Sequence, residues 1–363
     1  MGLGTRIGIG RPGRHTESEA VGAAERERRS DLWHADSRRL RNGLISLAIF
    51  FGLLAALLTG VPGLKAAARR IEHANPTWIA IGVGCEVLSC LSYVLLFGRV
   101  FARLRGRAAT LLSLSELAMN SVVSAGGLGG FALGAWVLRN AGASLRRIAE
   151  RSLVMFLITS AVNVGAVAVL GFLMGFGLIG GTTNPLLTLL PAAAAVLAFA
   201  GTVGVGVWAR RLLDRPRAEG RLGTALCAIS EGVFDTLDLL LSFDLRAAGG
   251  ALGYWLFDNL VLLFAFYAYG LHPNLAVVGL GYLIGMLANS LPIPGGFGAV
   301  EGGLVGMLIA YGLHPASLVV AAVLSYRAIA LWVPSVIGTV AFWELRGELS
   351  KELLRPQPSQ ATG

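Results

Sequence analysis

Asn120-Ser121-Val122-Val123-Ser124-Ala125-Gly126-Gly127-Leu128-Gly129 returns in the second half of the chain as Asn289-Ser290-Leu291-Pro292-Ile293-Pro294-Gly295-Gly296-Phe297-Gly298. Each copy sits in apolar sequence and is followed by a long apolar span. Two glycine-broken copies in one apolar chain point to an internal repeat, and repeats in transporters gather their interrupted helices around a central site. The two motifs therefore mark where that site is expected.

The surrounding composition sets the class. With 55% hydrophobic and 14% charged residues and a mean hydropathy of +0.69, the chain has too little polar surface for a soluble globule. An all-α polytopic membrane protein is expected. The net charge is +9, but the arginines cluster between apolar spans, as in orientation against anionic lipid rather than nucleic-acid binding. Lys65 and Lys351 are the only lysines; the arginine-, alanine- and glycine-rich usage suggests a GC-rich bacterial genome and a bacterial plasma membrane. Cys85, Cys90 and Cys227 lack metal-ligand spacing and read as reduced thiols. His15, His34, His73, His272 and His314 form no metal pattern, and neither GxSxG nor a Walker motif occurs. Gly126-Gly127-Leu128-Gly129 lacks the βαβ context of a dinucleotide site. No cofactor and no enzymatic activity are expected.

Residues 1–41 are polar and without apolar periodicity, which predicts a disordered basic cytoplasmic tail. Ser37-Arg38-Arg39 reads as a positive-inside anchor ahead of an uncleaved span. The transmembrane domain is expected over 42–345 and a second cytoplasmic tail over 346–363. Six stretches are long enough to cross about 30 Å of hydrocarbon: 44–62, 77–98, 151–177, 186–208, 250–270 and 316–343. Two others, 110–138 and 275–312, hold the glycine motifs. The arms of the first run 12 to 15 residues, about 20 Å at 1.5 Å per residue, and predict a re-entrant hairpin. The second has arms of about 17 residues and reads as a re-entrant hairpin or as two thin spans.

Arginine placement tests this layout. Arginines at 26, 28, 29, 38, 39 and 41, at 99, 103, 105 and 107, at 139, 146, 147 and 151, and at 210, 211, 215, 217 and 221 all fall on one side, as do Arg346 and Lys351. The loops Gly181-Thr182-Thr183-Asn184, Leu271-His272-Pro273-Asn274 and Gly312-Leu313-His314-Pro315 on the other side carry no acidic or basic side chain apart from histidine. Only Lys65, Arg69 and Arg70 dissent. Three full spans separate the motifs, so the second copy (repeat two, 250–343) is inverted relative to the first (repeat one, 77–177). This parity rests on 222–245 being an interfacial amphipathic helix, with Glu231, Asp235 and Asp238 at i, i+4, i+7. If that segment crossed, the repeat would be parallel. Its acidic face, with Asp244, is most simply solvated, and docking against arginine loops is the competing reading.

Chemistry is expected at the motifs and at intramembrane charge. Gly126, Gly127, Gly129, Gly295, Gly296 and Gly298 let backbones meet at depth, where a helix N-terminus can hold a phosphate; equally, they permit close packing. Pro292 and Pro294 free carbonyls, which in hydrocarbon is tolerable only against protein or a water-filled cavity. Gly298, Gly302 and Gly306 read as a close-packing stripe. Glu301 and Arg327 are natural partners, because either charge alone at bilayer depth costs several kcal/mol. They form a structural ion pair, or Arg327 contacts substrate phosphate while Glu301 neutralises it in the empty state. Tyr326, Trp332 and Asn289 are expected to line the same cavity, opened by a kink at Pro334. Asn120, Asn163, Asn259, Glu86, Glu116 and Asp258 are further intramembrane polar groups, and Glu86 and Asp258, each in a span preceding a repeat motif, are candidates for proton coupling.

The run from Asn289 through Glu301-Gly302-Gly303, with Tyr311-Gly312, Tyr326-Arg327 and Trp332-Val333-Pro334, resembles the lysylphosphatidylglycerol synthase transmembrane-domain family, also described as flippase-like. The resemblance covers most of 44–343 and implies movement of a lipid or lipid-linked glycan between leaflets. Gly295, Gly296, Glu301 and Arg327 match its motif. The first copy departs, with Ser124-Ala125 in place of the prolines and Ala132 where Glu301 stands. About twenty residues follow the sixth span, so the aminoacyl-transfer domain of the best-known members is expected to be missing here, and lysyl-phosphatidylglycerol synthesis with it. The expected function is flipping of a phospholipid or lipid-linked head group, with an anionic phospholipid or polyprenyl phosphate as partner and an oligomer conceivable. The alternatives are a non-catalytic membrane partner of a separate synthase or glycosyltransferase, and a small-solute transporter.

Overall fold

Asn75 accepts a hydrogen bond from the Thr77 amide at 3.0 Å and Pro76 occupies the first turn, so the apolar run that follows starts cleanly as a helix. Ser144, Asp244 and Asn274 cap later helices in the same way. The computed structural model describes residues 72–354 except 102–103, 105, 123–127, 141–143, 214–219, 243 and 288–298. Within them the regular structure is helical: α1 (Pro76–Val100), α2 (Gly106–Val122), α3 (Leu128–Asn140), α4 (Leu145–Gly175), α5 (Leu189–Leu213), α6 (Gly220–Leu241), α7 (Leu245–Ala268), α8 (Leu275–Gly285), α9 (Ala299–Ala310) and α10 (Ala316–Leu354).

Five of these, α1, α4, α5, α7 and α10, are long and apolar enough to cross a membrane. They coincide with five of the six expected spans; 44–62 and the tail 1–41 lie outside the described residues. The last helix continues to Leu354, past the expected start of the second tail at 346, because Glu344 to Leu354 contain mostly strong helix formers. Large apolar side chains such as Leu91, Val169, Leu197 and Val340 point outward, as a lipid environment requires.

The repeat is visible element by element. The offset from Pro76, where α1 begins, to Leu245, where α7 begins, is the same as that from Gly106 of α2 to Leu275 of α8. Leu145, where α4 begins, and Ala316, where α10 begins, stand at an offset larger by two residues. The related helices α1 and α7 make the most extensive packing among the described helices and run antiparallel. At one end the Asn75 amide donates to the Ala268 carbonyl at 2.9 Å; at the other Arg99 pairs with Asp244. Gly250 is needed for this contact, since a Cβ there would stand 2.8 Å from the Leu96 amide nitrogen and 2.9 Å from the Ser92 carbonyl oxygen.

The paired short helices α2–α3 and α8–α9 form the two hairpins. The described parts of α8 and α9 have 11 and 12 residues, about 17 Å at 1.5 Å per residue, and 288–298 between them lie outside the described residues, so the choice between a re-entrant hairpin and two thin spans falls there. The two hairpins enter from opposite ends. Arg107 of α2 reaches Glu344 at the arginine-rich end, whereas Asn274, just before α8, bonds the Gly180 carbonyl at the uncharged end.

α6 is not among the described helices long and apolar enough to cross a membrane, the condition on which the inverted parity rests. It packs on α4 and α5, with Val233 against Gly206 and Leu153 against Gly232, and the chain then returns to Arg99 through Asp244. Its acidic face is docked where solvation was the simpler expectation: Glu231 meets Arg146 at 2.9 Å and Asp235 meets Arg151 at 3.3 Å. The physical reason is that α6 leans along α4, which brings the carboxylates level with the arginines of the first α4 turns.

Candidate functional site

α2 and α8, the first arms of the two hairpins, both reach one cavity of about 250 Å³, lined by residues of α1, α2, α7, α10 and of α8 with Met286 just after it. Asn120 and Ser121 close α2 on one side; Tyr282 and Met286 close α8 on the other. α10 runs through the middle, with 56% of its apolar window buried, against 17% for the peripheral α4 and α5. It carries Tyr326, Arg327 and Pro334 into the wall.

Arg327 Nε donates to Glu301 Oε1 at 2.8 Å, and both side chains are almost enclosed, 11% and 12% exposed. Glu301 stands in the first turn of α9, where the helix dipole also favours a negative charge. Arg327 also lines the cavity, and its bond to Glu301 is made through Nε. A planar guanidinium is the group suited to two oxygens of one phosphate.

The same wall also carries acids. Asp258 of α7 accepts from Tyr326 at 3.2 Å and from Tyr282, whose ring stacks edge-on against Tyr326 at 6.0 Å. Glu86 of α1 lines the cavity, is 5% exposed, and its Oε2 has no hydrogen-bond partner among the described residues. Behind them Glu116 of α2 is held by Tyr93 Oη at 3.3 Å.

The hairpins are equivalent in build and unlike in charge. Gly285 and Gly303 hold in the second hairpin the places that Glu116 and Gly134 hold in the first, and each pair meets where its hairpin arms cross. In the first hairpin the acid Glu116 fills the space left by Gly134; in the second two glycines bring the α8 backbone within contact of the Gly303 carbonyl. The second hairpin places its acid, Glu301, in the leaving arm. Asn120 also closes the first hairpin: its Oδ1 accepts the Gly130 amide at 2.7 Å, occupying one of the unpaired amides that begin α3.

Of the residues expected from sequence, Arg327, Tyr326, Asn120 and Pro334 reach the cavity and Glu301 is bonded to Arg327. Trp332 is half-buried on the same helix. Gly126, Gly127, Asn289, Pro292, Pro294, Gly295, Gly296 and Gly298 lie outside the described residues. The glycine stripe is corrected for its described members: a Cβ on Gly302 or Gly306 would meet nothing within 4 Å among the described residues. The close approaches of that hairpin are instead at Gly281 and Gly285, against Leu308 and Leu304, because the arms cross on the α8 side. Tyr254 and Tyr282 were not anticipated, although Tyr254 and Asp258 stand four apart on one helical face, as Glu86 and Cys90 do. Cys85, Cys90 and Cys227 are free thiols, and no cluster of three metal-ligating side chains occurs among the described residues.

At the arginine-rich end Asp244 caps α7 through the Arg246 and Ala247 amides while pairing with Arg99. The bond from Arg99, followed by these amides, holds its carboxyl below the usual aspartate range.

A family model described as Lysylphosphatidylglycerol synthase TM region matches residues 43–338, which include both glycine motifs, the cavity and most of α10. No curated protein matches the chain.

Proposed function

The chain belongs to the lysylphosphatidylglycerol synthase transmembrane-region family, multi-pass membrane proteins concerned with lipid handling, and from that premise we propose that it flips a phosphate-bearing lipid between leaflets. The observation that carries this reading is the convergence of two inverted hairpins on one buried polar cavity holding Arg327. In alternating access each hairpin, with the helices it touches, closes one end of the cavity while the other is open. The head group rests at the midplane, its phosphate bridging Nη1 and Nη2 of Arg327, and the acyl or prenyl chains remain in the bilayer. Glu301 neutralises the guanidinium when the cavity is empty, so that no bare charge is left at depth. The positive-inside rule puts the arginine-rich end, and with it both termini, in the cytoplasm of a bacterial cell. In this reading the chain is a carrier and performs no covalent chemistry; its partner is an anionic phospholipid or a polyprenyl-phosphate-linked substrate.

The test is leaflet exchange by purified protein in liposomes, with a fluorescent anionic phospholipid and a labelled polyprenyl phosphate in parallel. Exchange by the wild type that is lost in Arg327→Ala is the expected result. Absence of exchange with both lipids would overturn the reading and favour a partner-subunit or small-solute role.

A further inference from the structure

The cavity proposed to receive a phosphate has more acid in its walls than base. Glu86 and Asp258 line it; among the described residues the one guanidinium on its surface, Arg327, is already matched by Glu301. The other titratable groups around Glu86 supply no cation. On its own helix these are Cys85, Cys90 and Tyr93; α7 adds Tyr254 and α8 adds Tyr282. From α10 comes Tyr326 beside Arg327, and α2 brings a further acid, Glu116, behind Tyr93. α4 also packs on α1 but contributes no residue to the cavity wall.

Two charged carboxylates here would repel each other, and Glu86 would hold its charge 5% exposed with one oxygen lacking any donor among the described residues. An uncompensated buried charge costs several kcal/mol, and the usual escape is to take a proton. An arriving phosphate adds a second penalty, because it shares one cavity with both carboxylates. A proton on the acid pair removes both penalties, so head group and proton occupy the cavity together more favourably than either does alone.

We propose that Glu86 and Asp258 form a proton-loading site and that lipid translocation by this chain is proton-coupled symport. The proposal rests on the flipping reading above and assigns it an energy source. A proton from water on one side reaches the open cavity and binds the pair as the phosphate docks on Arg327; both are released on the other side after the hairpins exchange roles. Asp258 is held in place by hydrogen bonds from Tyr282 and Tyr326. Glu86, with its unpartnered oxygen, is the group that gains the proton. For a lipid with one negative charge the step is electroneutral.

Two measurements test this. In the first, proteoliposomes with a symmetric fluorescent anionic phospholipid receive a pH step of one unit under a potassium-clamped potential, with a pH dye inside. One proton per lipid predicts accumulation of the lipid in the leaflet on the alkaline side, approaching about tenfold, with matching dissipation of the gradient. Glu86→Gln and Asp258→Asn should each abolish that accumulation. A leaflet ratio unaffected by the pH step while exchange itself proceeds, or accumulation on the acidic side, overturns the symport and leaves the flipping reading standing. The second measurement needs no transport: infrared difference spectra of the protein across a pH titration. A protonated-carboxyl stretch that titrates in wild type and is lost in Glu86→Gln supports the proton site even if neither lipid exchanges. Spectra indistinguishable between wild type and both variants overturn it. Unchanged gel-filtration elution of the near-isosteric variants establishes that they fold.

Discussion

Replacing Arg327 by glutamine removes the cation from a pair whose two side chains are 11% and 12% exposed, and takes from the enclosed Glu301 carboxylate its guanidinium donor at 2.8 Å. Breaking a buried ion pair on one side costs about 3–5 kcal/mol, most of it the desolvation of the remaining charge. At about 1.4 kcal/mol per tenfold, that is a hundredfold or larger shift in the folded population. Glu301→Gln should cost a similar amount, because it strands the guanidinium. The double variant Glu301→Gln/Arg327→Gln strands neither charge, and neutral amides can bond each other, so most of the lost stability should return. Transport should not return with it, because the planar donor for phosphate is gone; Arg327→Lys should likewise restore little exchange. Thermal unfolding in detergent micelles reads the first quantity and leaflet exchange in liposomes the second. A double variant as stable as wild type that also exchanges lipid at the wild-type rate would refute the head-group role and leave the pair purely structural. Single variants with unchanged unfolding temperatures would refute the claim that the pair is buried.

Three further outcomes follow from the packing and the charges. Gly338→Ala places a Cβ 2.1 Å from the Leu114 carbonyl oxygen, so α10 and α2 must separate; a loss of about 1–3 kcal/mol in detergent unfolding is expected, whereas Gly302→Ala, in open space, should be neutral. The Asp244 carboxyl is held below its ordinary value of about 3.9, so its stabilising effect is present above that pH and fades as pH falls through the lowered folded value. The gap in unfolding temperature between wild type and Asp244→Asn should therefore be constant at neutral pH and close in strong acid; a gap that widens in acid would contradict the Arg99 contact. In a background with Cys85, Cys90 and Cys227 replaced by serine or alanine, Thr183→Cys and Arg147→Cys should label with an impermeant maleimide from opposite sides of intact cells, Thr183→Cys from outside. Labelling of both from the same side would remove the inverted topology.

The chain itself sufficed for the membrane class, five spans to within a few residues at most of their ends, the inverted repeat and the Arg327–Glu301 pair. These depend on hydropathy along the chain, on helix rise against bilayer thickness, and on the cost of a lone charge at depth, all of which are local or pairwise quantities. The repeat offset needed no contact map because each copy carries its own Asn and Gly-Gly. The second hairpin can be read two ways from its arms, and its turn lies outside the described residues. Other features depend on which face each helix turns to its neighbours. Glu86 and Asp258 stand in different halves of the chain, and only the antiparallel contact of α1 with α7 brings them to one cavity. Glu231 and Asp235 are periodic enough to suggest a solvated face; the lean of α6 along α4 turned them onto Arg146 and Arg151. Gly302 and Gly306 have the spacing of a packing stripe but meet open space, because the arms of their hairpin cross on the other helix. Spacing establishes that side chains share a face of a helix; what that face meets is decided by the rotation and tilt at which whole helices pack, a property summed over many weak contacts and carried by no single stretch of the chain.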